Sequence, residues 1–109
     1  MKAVYMEKPW NIEISDVQMP KPKEGEALLR VKSAGICGSD IGAFRGTNGL
    51  VSYPRIIGHE ITGEVISIPE NNKNGIKPGD RVIVDPYLYC GHCYPCSIGR
   101  TNCSVDLKV

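Results

Sequence analysis

The sequence has no excess of charge of either sign and no long hydrophobic run. Its 109 residues carry 13 Lys and Arg against 12 Asp and Glu, a formal net charge of +1. Bulk charge therefore gives no reason to expect nucleic acid or an anionic membrane as a partner. Only four residues separate the charged residues Lys2 and Glu7, which leaves no room for the apolar core of a signal peptide. No apolar span of about 18 residues follows, so no membrane span is predicted. We expect a cytoplasmic protein with no membrane partner.

Glycine-rich loops that bind nucleotide phosphates are also missing. Neither Gly-x-Gly-x-x-Gly nor Gly-x-x-x-x-Gly-Lys-Ser/Thr occurs among the 12 glycines. The chain is also too short for the alternation of strands and helices that such loops need. By itself, this chain is therefore not expected to hold a nucleotide cofactor in the usual way.

What the sequence does contain is a series of short strands separated by Gly and Pro. The predicted strands are 2–6, 11–17, 26–36, 56–68 and 81–84. The first two are expected at sheet edges, and Gly63 predicts a bulge or tight packing in the fourth. Ser39 and Asp40 are expected to cap a short helical turn that continues to Phe44. The pattern predicts one mainly β domain.

Five cysteines are the unusual feature of the composition. In a reducing compartment an odd number in a short chain points to metal ligation or a reactive thiol rather than to a disulfide framework. Four of them form Cys-x2-Cys-x2-Cys-x6-Cys: Cys90, Cys93, Cys96 and Cys103. Four thiolates at these spacings can wrap one Zn²⁺ tetrahedrally. We interpret residues 87–104 as a lobe that has little apolar core and is held together by a structural zinc ion.

Two other interpretations of these cysteines exist. Cys90 and Cys93, and again Cys93 and Cys96, have the spacing of thiol-disulfide exchange motifs, but those motifs need a following helix, and none is apparent. A zinc ribbon would separate two pairs by roughly 15–20 residues and would need several cations. Arg100 is the only Lys or Arg between residues 87 and 104. The redox alternative stays open, and nucleic acid is not expected as a partner.

The fifth cysteine, Cys37, lies outside the lobe and is followed 22 residues later by His59, with Glu60 next to it. A thiolate, an imidazole and a carboxylate are the ligand types of an open catalytic zinc site. Taken singly, a lone cysteine is usually a small buried hydrophobe, and a lone His or Glu is more often a surface group. The residues alone leave both interpretations open.

Four motifs follow one another along the chain. They are Cys37-Gly38-Ser39-Asp40, Pro54-Arg55-Ile56-Ile57-Gly58-His59-Glu60-Ile61-Thr62-Gly63-Glu64-Val65, Pro78-Gly79-Asp80-Arg81-Val82 and the four-cysteine lobe. Their order resembles the zinc-dependent medium-chain alcohol and polyol dehydrogenases. The resemblance implies that residues 1–109 form most of a GroES-like catalytic domain, a partly open β-barrel with a zinc lobe at about 87–104. The Rossmann domain of the parent enzyme would be absent here and follow beyond residue 109.

The resemblance also implies roles for individual residues. Cys37 and His59 would be catalytic zinc ligands, and Glu60 an acidic ligand or near neighbour. Ser39 would take the proton of the substrate hydroxyl, and Asp40 would orient His59. Zinc would lower the pKa of a bound alcohol, and hydride would pass to NAD or NADP. The implied parent enzyme is a homo-oligomer acting on an alcohol, with a polyol or sugar acid preferred.

Some positions depart from the family pattern. Gly42 stands where many members carry a histidine that ends the proton relay, and a further metal ligand and the return strands of the barrel are not found. We therefore expect the chain by itself to bind about one zinc, at the lobe, and to have no dehydrogenase activity. A zinc-stabilised GroES-like assembly module is the alternative, with a Cys-x-x-Cys redox protein less favoured.

Overall fold

Two three-stranded antiparallel sheets form most of the computed structural model, which describes residues 1–108. The elements in chain order are β1 (Lys2–Lys8), β2 (Asn11–Asp16), β3 (Leu28–Gly35), α1 (Gly38–Arg45), β4 (Arg55–Ile56), β5 (Glu60–Ser67), β6 (Arg81–Ile83), α2 (Tyr94–Ser97) and a 3-10 turn at Thr101–Cys103. The strand order is β2-β1-β4 in the first sheet and β3-β5-β6 in the second. The prediction of a mainly β chain is confirmed. Within residues 1–108, no helix combines the length and apolar character that a membrane span requires.

The first sheet is centred on β1. Its register with β2 pairs Lys2 with Asp16, and on its other side Met6 pairs with Arg55 of β4. The prediction that β1 is an edge strand is therefore wrong, whereas β2 does lie at an edge. The physical reason is β4, a strand of two residues that is too short to show a periodicity in the sequence and that pairs with Tyr5 and Met6 on the second side of β1.

The second sheet is built around β5. This strand pairs with β3 along its whole length and with β6 near its middle. Opposite Gly63 the register shifts between Val31 and Ser33. A Cβ atom added to Gly63 would lie 3.1 Å from the Arg30 carbonyl oxygen, closer than most such contacts, so of the two predicted alternatives tight packing is the one confirmed at Gly63. The extra residue at the irregularity is Lys32 of β3, opposite Gly63, and not a residue of β5.

Helix α1 lies between β3 and β4 in the chain and begins earlier than predicted. Its N-cap is Cys37, not Ser39 or Asp40. The Cys37 backbone N–H donates to Asp40 Oδ2 at 2.9 Å, so the aspartate caps the helix from its third position rather than from its first. The helix ends at Gly46, whose φ of 74° is the left-handed conformation that suits glycine.

The buried apolar core of the described residues is small. It consists of Met6 in β1, Ala43 in α1 and Val65 in β5. Trp10 connects the first hairpin to the helix, because its backbone N–H donates to the Phe44 carbonyl at 2.8 Å. The Trp10 and Phe44 rings also meet edge to face with centroids 5.0 Å apart. Burial is thus shared between both sheets and α1.

Candidate metal centres

The first candidate centre lies where α1 begins and β5 is about to begin. Cys37 Sγ is 2.9 Å from Ser39 Oγ and 3.5 Å from His59 Nε2. Ser39 Oγ is 3.4 Å from the same nitrogen. The fold therefore brings together three of the predicted site residues that are up to 22 positions apart in the sequence.

Asp40 joins the two sides of this centre. It is buried, with 8% of its surface exposed. Its Oδ1 lies 3.5 Å from His59 Nδ1, and its Oδ2 accepts the Cys37 N–H. A carboxylate on Nδ1 orients the ring so that Nε2 is presented to Cys37 and Ser39. This contact is the one that the expected orienting role requires, and the role itself stays a prediction.

Glu60 does not join this group in the structure. Metal-ligating atoms of Cys37, Asp40 and His59 all lie within 4.8 Å of one another, and Glu60 is not among them. Glu60 is exposed, and its Oε2 would lie 2.5 Å from a Cβ added to its strand partner Gly35. Consecutive residues of an extended chain point to opposite faces, so His59 facing the centre turns Glu60 away. Its role as a ligand stays a prediction.

The donor set of this first centre fits zinc. Thiolate sulfur and imidazole nitrogen, here from Cys37 and His59, are zinc ligands, and a catalytic zinc site has three protein ligands and an open position. Both oxygens of Asp40 are taken up by the Cys37 N–H and by His59, so Asp40 is placed to orient the ligands and the third ligand has to come from another group. Cys37 and His59 are half-buried, whereas Ser39 is exposed. Solvent and small molecules can therefore reach the face of the centre that carries the serine hydroxyl.

A cavity of about 150 Å³ adjoins the centre. Its lining comprises Ser39, Asp40, Ala43, Asn48, Leu50, Val51, Arg55, Ile57, Gly58, His59 and Tyr87. The lining includes the hydroxyl and the imidazole of the centre together with a cation, Arg55, and an amide, Asn48. The cavity is therefore a candidate substrate site.

The second candidate centre is the cysteine lobe. Cys90, Cys93 and Cys96 bring their sulfur atoms within 4.8 Å of one another, and Cys93 Sγ is 3.4 Å from Cys96 Sγ. Contrary to the expectation that no helix follows the motif, the single-turn helix α2 begins directly after Cys93. The turn curls the chain so that the second and third cysteines face the same point. Clustered thiols are the donor set of a structural zinc site.

Cys103 lies outside this trio. It is exposed and ends the 3-10 turn, and the structure does not bring its sulfur into the group of three. Its role as the fourth ligand stays a prediction. Cys90 also belongs to a second group with His92 and Asp106, both exposed.

Ser104 is the residue of the lobe that sequence reasoning missed. It is 8% exposed, and its Oγ lies 3.5 Å from Cys90 Sγ and 3.8 Å from Cys93 Sγ. The same oxygen accepts the backbone N–H groups of Cys90 and Asp106. No spacing rule singles out a serine after the last cysteine, because it meets Cys90 only through the fold of the lobe.

Hydrogen bonds and burial separate the acidities of the lobe thiols. The His92 backbone N–H, followed by the Ser104 hydroxyl, lowers the pKa of Cys90 to about 6. The pKa of Cys93 is lowered chiefly by the Val105 backbone N–H, whereas burial raises the pKa of Cys96. A lowered pKa favours the thiolate of Cys90, which is the form that binds metal.

The fold and the two centres together define the class of protein. The resemblance to GroES-like alcohol dehydrogenase domains led us to expect a mainly β domain with one donor group at Cys37 and His59 and a second in the cysteine lobe, and the structure shows both groups. The family model for the alcohol dehydrogenase GroES-like domain matches residues 23–108. The chain belongs to this family.

Individual relatives agree with this assignment. All 109 residues align at 58% identity with an uncharacterized zinc-type alcohol dehydrogenase-like protein of Haemophilus influenzae, and at 39% with the L-galactonate-5-dehydrogenase of Escherichia coli K12. The structure of RspB, an alcohol dehydrogenase from Escherichia coli CFT073 complexed with NADH, matches the whole chain with a TM-score of 0.87 and 45% identity. These matches cover 32%, 32% and 31% of the relatives, so the chain spans about a third of their length. The resemblance to zinc-dependent alcohol dehydrogenases, and with it the GroES-like fold, is confirmed.

Proposed function

We propose that this chain is the metal-binding catalytic domain of a nicotinamide-dependent alcohol dehydrogenase that oxidises polyols or sugar acids. The observation that carries the proposal is the convergence of Cys37 Sγ, Ser39 Oγ and His59 Nε2 within 3.5 Å. Membership of the alcohol dehydrogenase GroES-like family supports it. The identity of 39% with an L-galactonate-5-dehydrogenase supports the class of substrate.

Two zinc ions belong to this proposal. Cys37 and His59 would hold the catalytic ion, with Glu60 as acidic ligand or near neighbour. The structural ion would be held by Cys90, Cys93, Cys96 and Cys103. When bound at the first centre, Zn²⁺ supplies a Lewis acid that lowers the pKa of a coordinated alcohol.

The residues of the chain supply positioning and proton transfer. Oxidation of an alcohol removes a proton from its oxygen and a hydride from its carbon, and the hydride reduces the nicotinamide ring. Ser39 Oγ, exposed and 3.4 Å from His59 Nε2, accepts the hydroxyl proton while it passes its own to water. Asp40 keeps His59 in the orientation that this geometry needs. Many family members carry, at the position of Gly42, a histidine that ends the proton relay. Gly42 has no side chain, so here the proton leaves through solvent.

The nucleotide site is proposed to lie in a second domain. The 109 residues contain no phosphate-binding glycine motif, and the relatives are far longer than the aligned region. We propose that a nucleotide-binding domain, with NAD or NADP, completes a homo-oligomeric enzyme in the cytoplasm, where unpaired thiols are maintained. By itself the chain is then expected to show no alcohol oxidation with either nucleotide.

A chimaera tests this function. The chain replaces the aligned third of the Escherichia coli L-galactonate-5-dehydrogenase, and L-galactonate oxidation is followed by the absorbance of the reduced nicotinamide. We expect activity in the chimaera and a loss of about 10²- to 10⁴-fold in kcat for Ser39→Ala. Ser15→Ala, in β2 of the first sheet, is the matched control and should leave kcat unchanged.

Three outcomes would contradict the proposal. An active chimaera in which Ser39→Ala and His59→Gln both retain full kcat would show that the centre plays no part in catalysis. A folded, zinc-loaded chimaera without activity would favour the assembly-module alternative. Alcohol oxidation by the 109 residues alone would contradict the proposed division between two domains.

A further inference from the structure

The cavity beside the first centre contains a cation, Arg55, that has no anionic partner among residues 1–108. Arg55 is the first residue of β4. It lines the cavity together with Ser39 and His59. It is half-buried. Residues 1–108 form three ion pairs, and none of them includes Arg55. A guanidinium that loses part of its hydration without a carboxylate partner is unfavourable, and it presents donors in the geometry that suits a carboxylate.

The side-chain amide of Asn48, in the same cavity, also has N–H donors without a hydrogen-bond partner among residues 1–108. Asn48 Oδ1 accepts the Leu50 backbone N–H at 3.1 Å, which fixes the oxygen end of the side chain. In the part of the chain that the structure describes, its Nδ2 makes no hydrogen bond. Asn48 is half-buried and lines the cavity. Its two N–H donors are therefore available to oxygen atoms of a ligand.

The acidic group of the cavity is already engaged. Asp40 Oδ2 accepts the Cys37 N–H, and Asp40 Oδ1 lies against His59. As far as residues 1–108 show, a ligand thus meets an unpaired cation and unpaired N–H donors rather than an unpaired carboxylate. The uncommitted polar groups favour a ligand that is rich in oxygen and negatively charged.

We propose that the cavity takes a polyhydroxy monocarboxylate, and that Arg55 binds its carboxylate. This inference rests on the proposed function and selects sugar acids over neutral polyols as the substrate class. Asn48 Nδ2 donates to an adjacent oxygen of the ligand, and the hydroxyl to be oxidised lies at Ser39. Arg55 is thereby a residue that determines specificity.

Two ligands that differ only at one end test this proposal. D-Gluconate carries a carboxylate where D-glucitol carries a hydroxymethyl group, and their binding to the zinc-loaded chain is compared by calorimetry and by backbone NMR shifts. We expect gluconate to bind about tenfold more tightly, as a charge-assisted hydrogen-bonded pair implies. Arg55→Gln should bring the two affinities to parity. Arg30→Gln, an exposed arginine on β3 that does not line the cavity, should preserve the preference.

The possible failures point to different conclusions. Equal affinities in the wild type would overturn the inference, and so would a preference for gluconate that survives Arg55→Gln, since the carboxylate would then bind the metal or another site. Neither result touches the chimaera's dependence on Ser39. If the Cys37 and His59 centre takes up no zinc in the same samples, it is the proposed function that fails.

Discussion

At the scale of single residues, Asp40 has two roles at the first centre. One oxygen caps α1 through the Cys37 N–H, and the other orients His59. The same carboxylate therefore fixes both the helix that carries Cys37 and the imidazole that faces it. This explains why a charged side chain is buried here, since each of its oxygens has a partner.

Asp40→Asn tests that dual role. The amide can still accept one hydrogen bond, but it cannot hold the imidazole as a carboxylate does. We expect zinc affinity at the first centre to fall about 10- to 100-fold, as is typical when a residue that orients a ligand is changed. The measurement is competition with a fluorescent chelator. Asp16→Asn, an exposed aspartate in β2, should have no effect, and equal losses in both variants would contradict the role of Asp40.

Ser104 plays a comparable part in the cysteine lobe. Ser104→Ala removes a buried hydroxyl that accepts two backbone N–H groups and lies beside two sulfur atoms. We expect the free energy of unfolding to fall by about 1 kcal/mol, measured by urea denaturation. Ser97→Ala, which removes an exposed hydroxyl of α2, should cost clearly less. A larger effect at Ser97 than at Ser104 would refute this assignment.

At the scale of elements, the strands could be predicted and their partners could not. Alternating apolar residues and Gly or Pro breaks predicted β2 and β6 close to their observed bounds. The strand predicted at 56–68 was too long, because it began four residues before β5 and took in Ile56 of β4. The two-residue β4 has no periodicity to read, yet it turns β1 into a central strand. Helix α1 was predicted too short because its cap acts through Asp40 at the third position. No sequence pattern marked three residues as part of a site: Ser104, Arg55 and Asn48. Each of them gains its neighbours only when distant segments of the chain meet in the fold.

The second sheet contains a charge ladder that gives a prediction for pH dependence. Glu64 of β5 is paired across the strands with Arg30 and with Arg81, and Lys32 Nζ lies 2.8 Å from its Oε2. The hydrogen bond from Lys32, then its charge, lowers the pKa of Glu64 below the ordinary 4.5. Because the folded pKa is below the unfolded one, the stabilisation is present above that ordinary value and is lost as pH falls through the folded pKa.

Lys32→Met should therefore raise the pKa of Glu64 toward its ordinary value. The measurement is NMR titration of the Glu64 side-chain carboxyl carbon. Lys2→Met, which breaks the exposed pair with Asp16 in the other sheet, is the matched control and should not move it. An unchanged Glu64 titration in the Lys32 variant would mean that the pair does not persist in solution, where salt screens exposed charges.

At the scale of the whole molecule, the described residues bury little apolar surface. Only Met6, Ala43 and Val65 among their hydrophobic side chains are buried, whereas Ile36, for example, is 80% exposed. A chain with so small a core gains stability from anything that binds its folded state, and metal binding is folding free energy when the site exists only in the folded chain. Composition and cysteine spacing predicted that the cysteine lobe needs a bound metal for its stability. Spacing alone left the second donor group open, because Cys37 and His59 meet only through the fold, and it was the family resemblance that predicted this group.

Zinc titration of the metal-free chain, followed by native mass spectrometry, tests the central claim that the chain holds two independent metal centres. The sequence led us to expect about one zinc, at the lobe, but the structure also assembles donors at the first centre. The account therefore predicts one tightly bound ion, lost in Cys96→Ser, and a second, weaker ion, lost in Cys37→Ser, with each variant keeping the other ion. Far-UV circular dichroism of both variants checks that the strands persist. A single ion that disappears from both folded variants, or two ions retained by Cys37→Ser, would contradict the account.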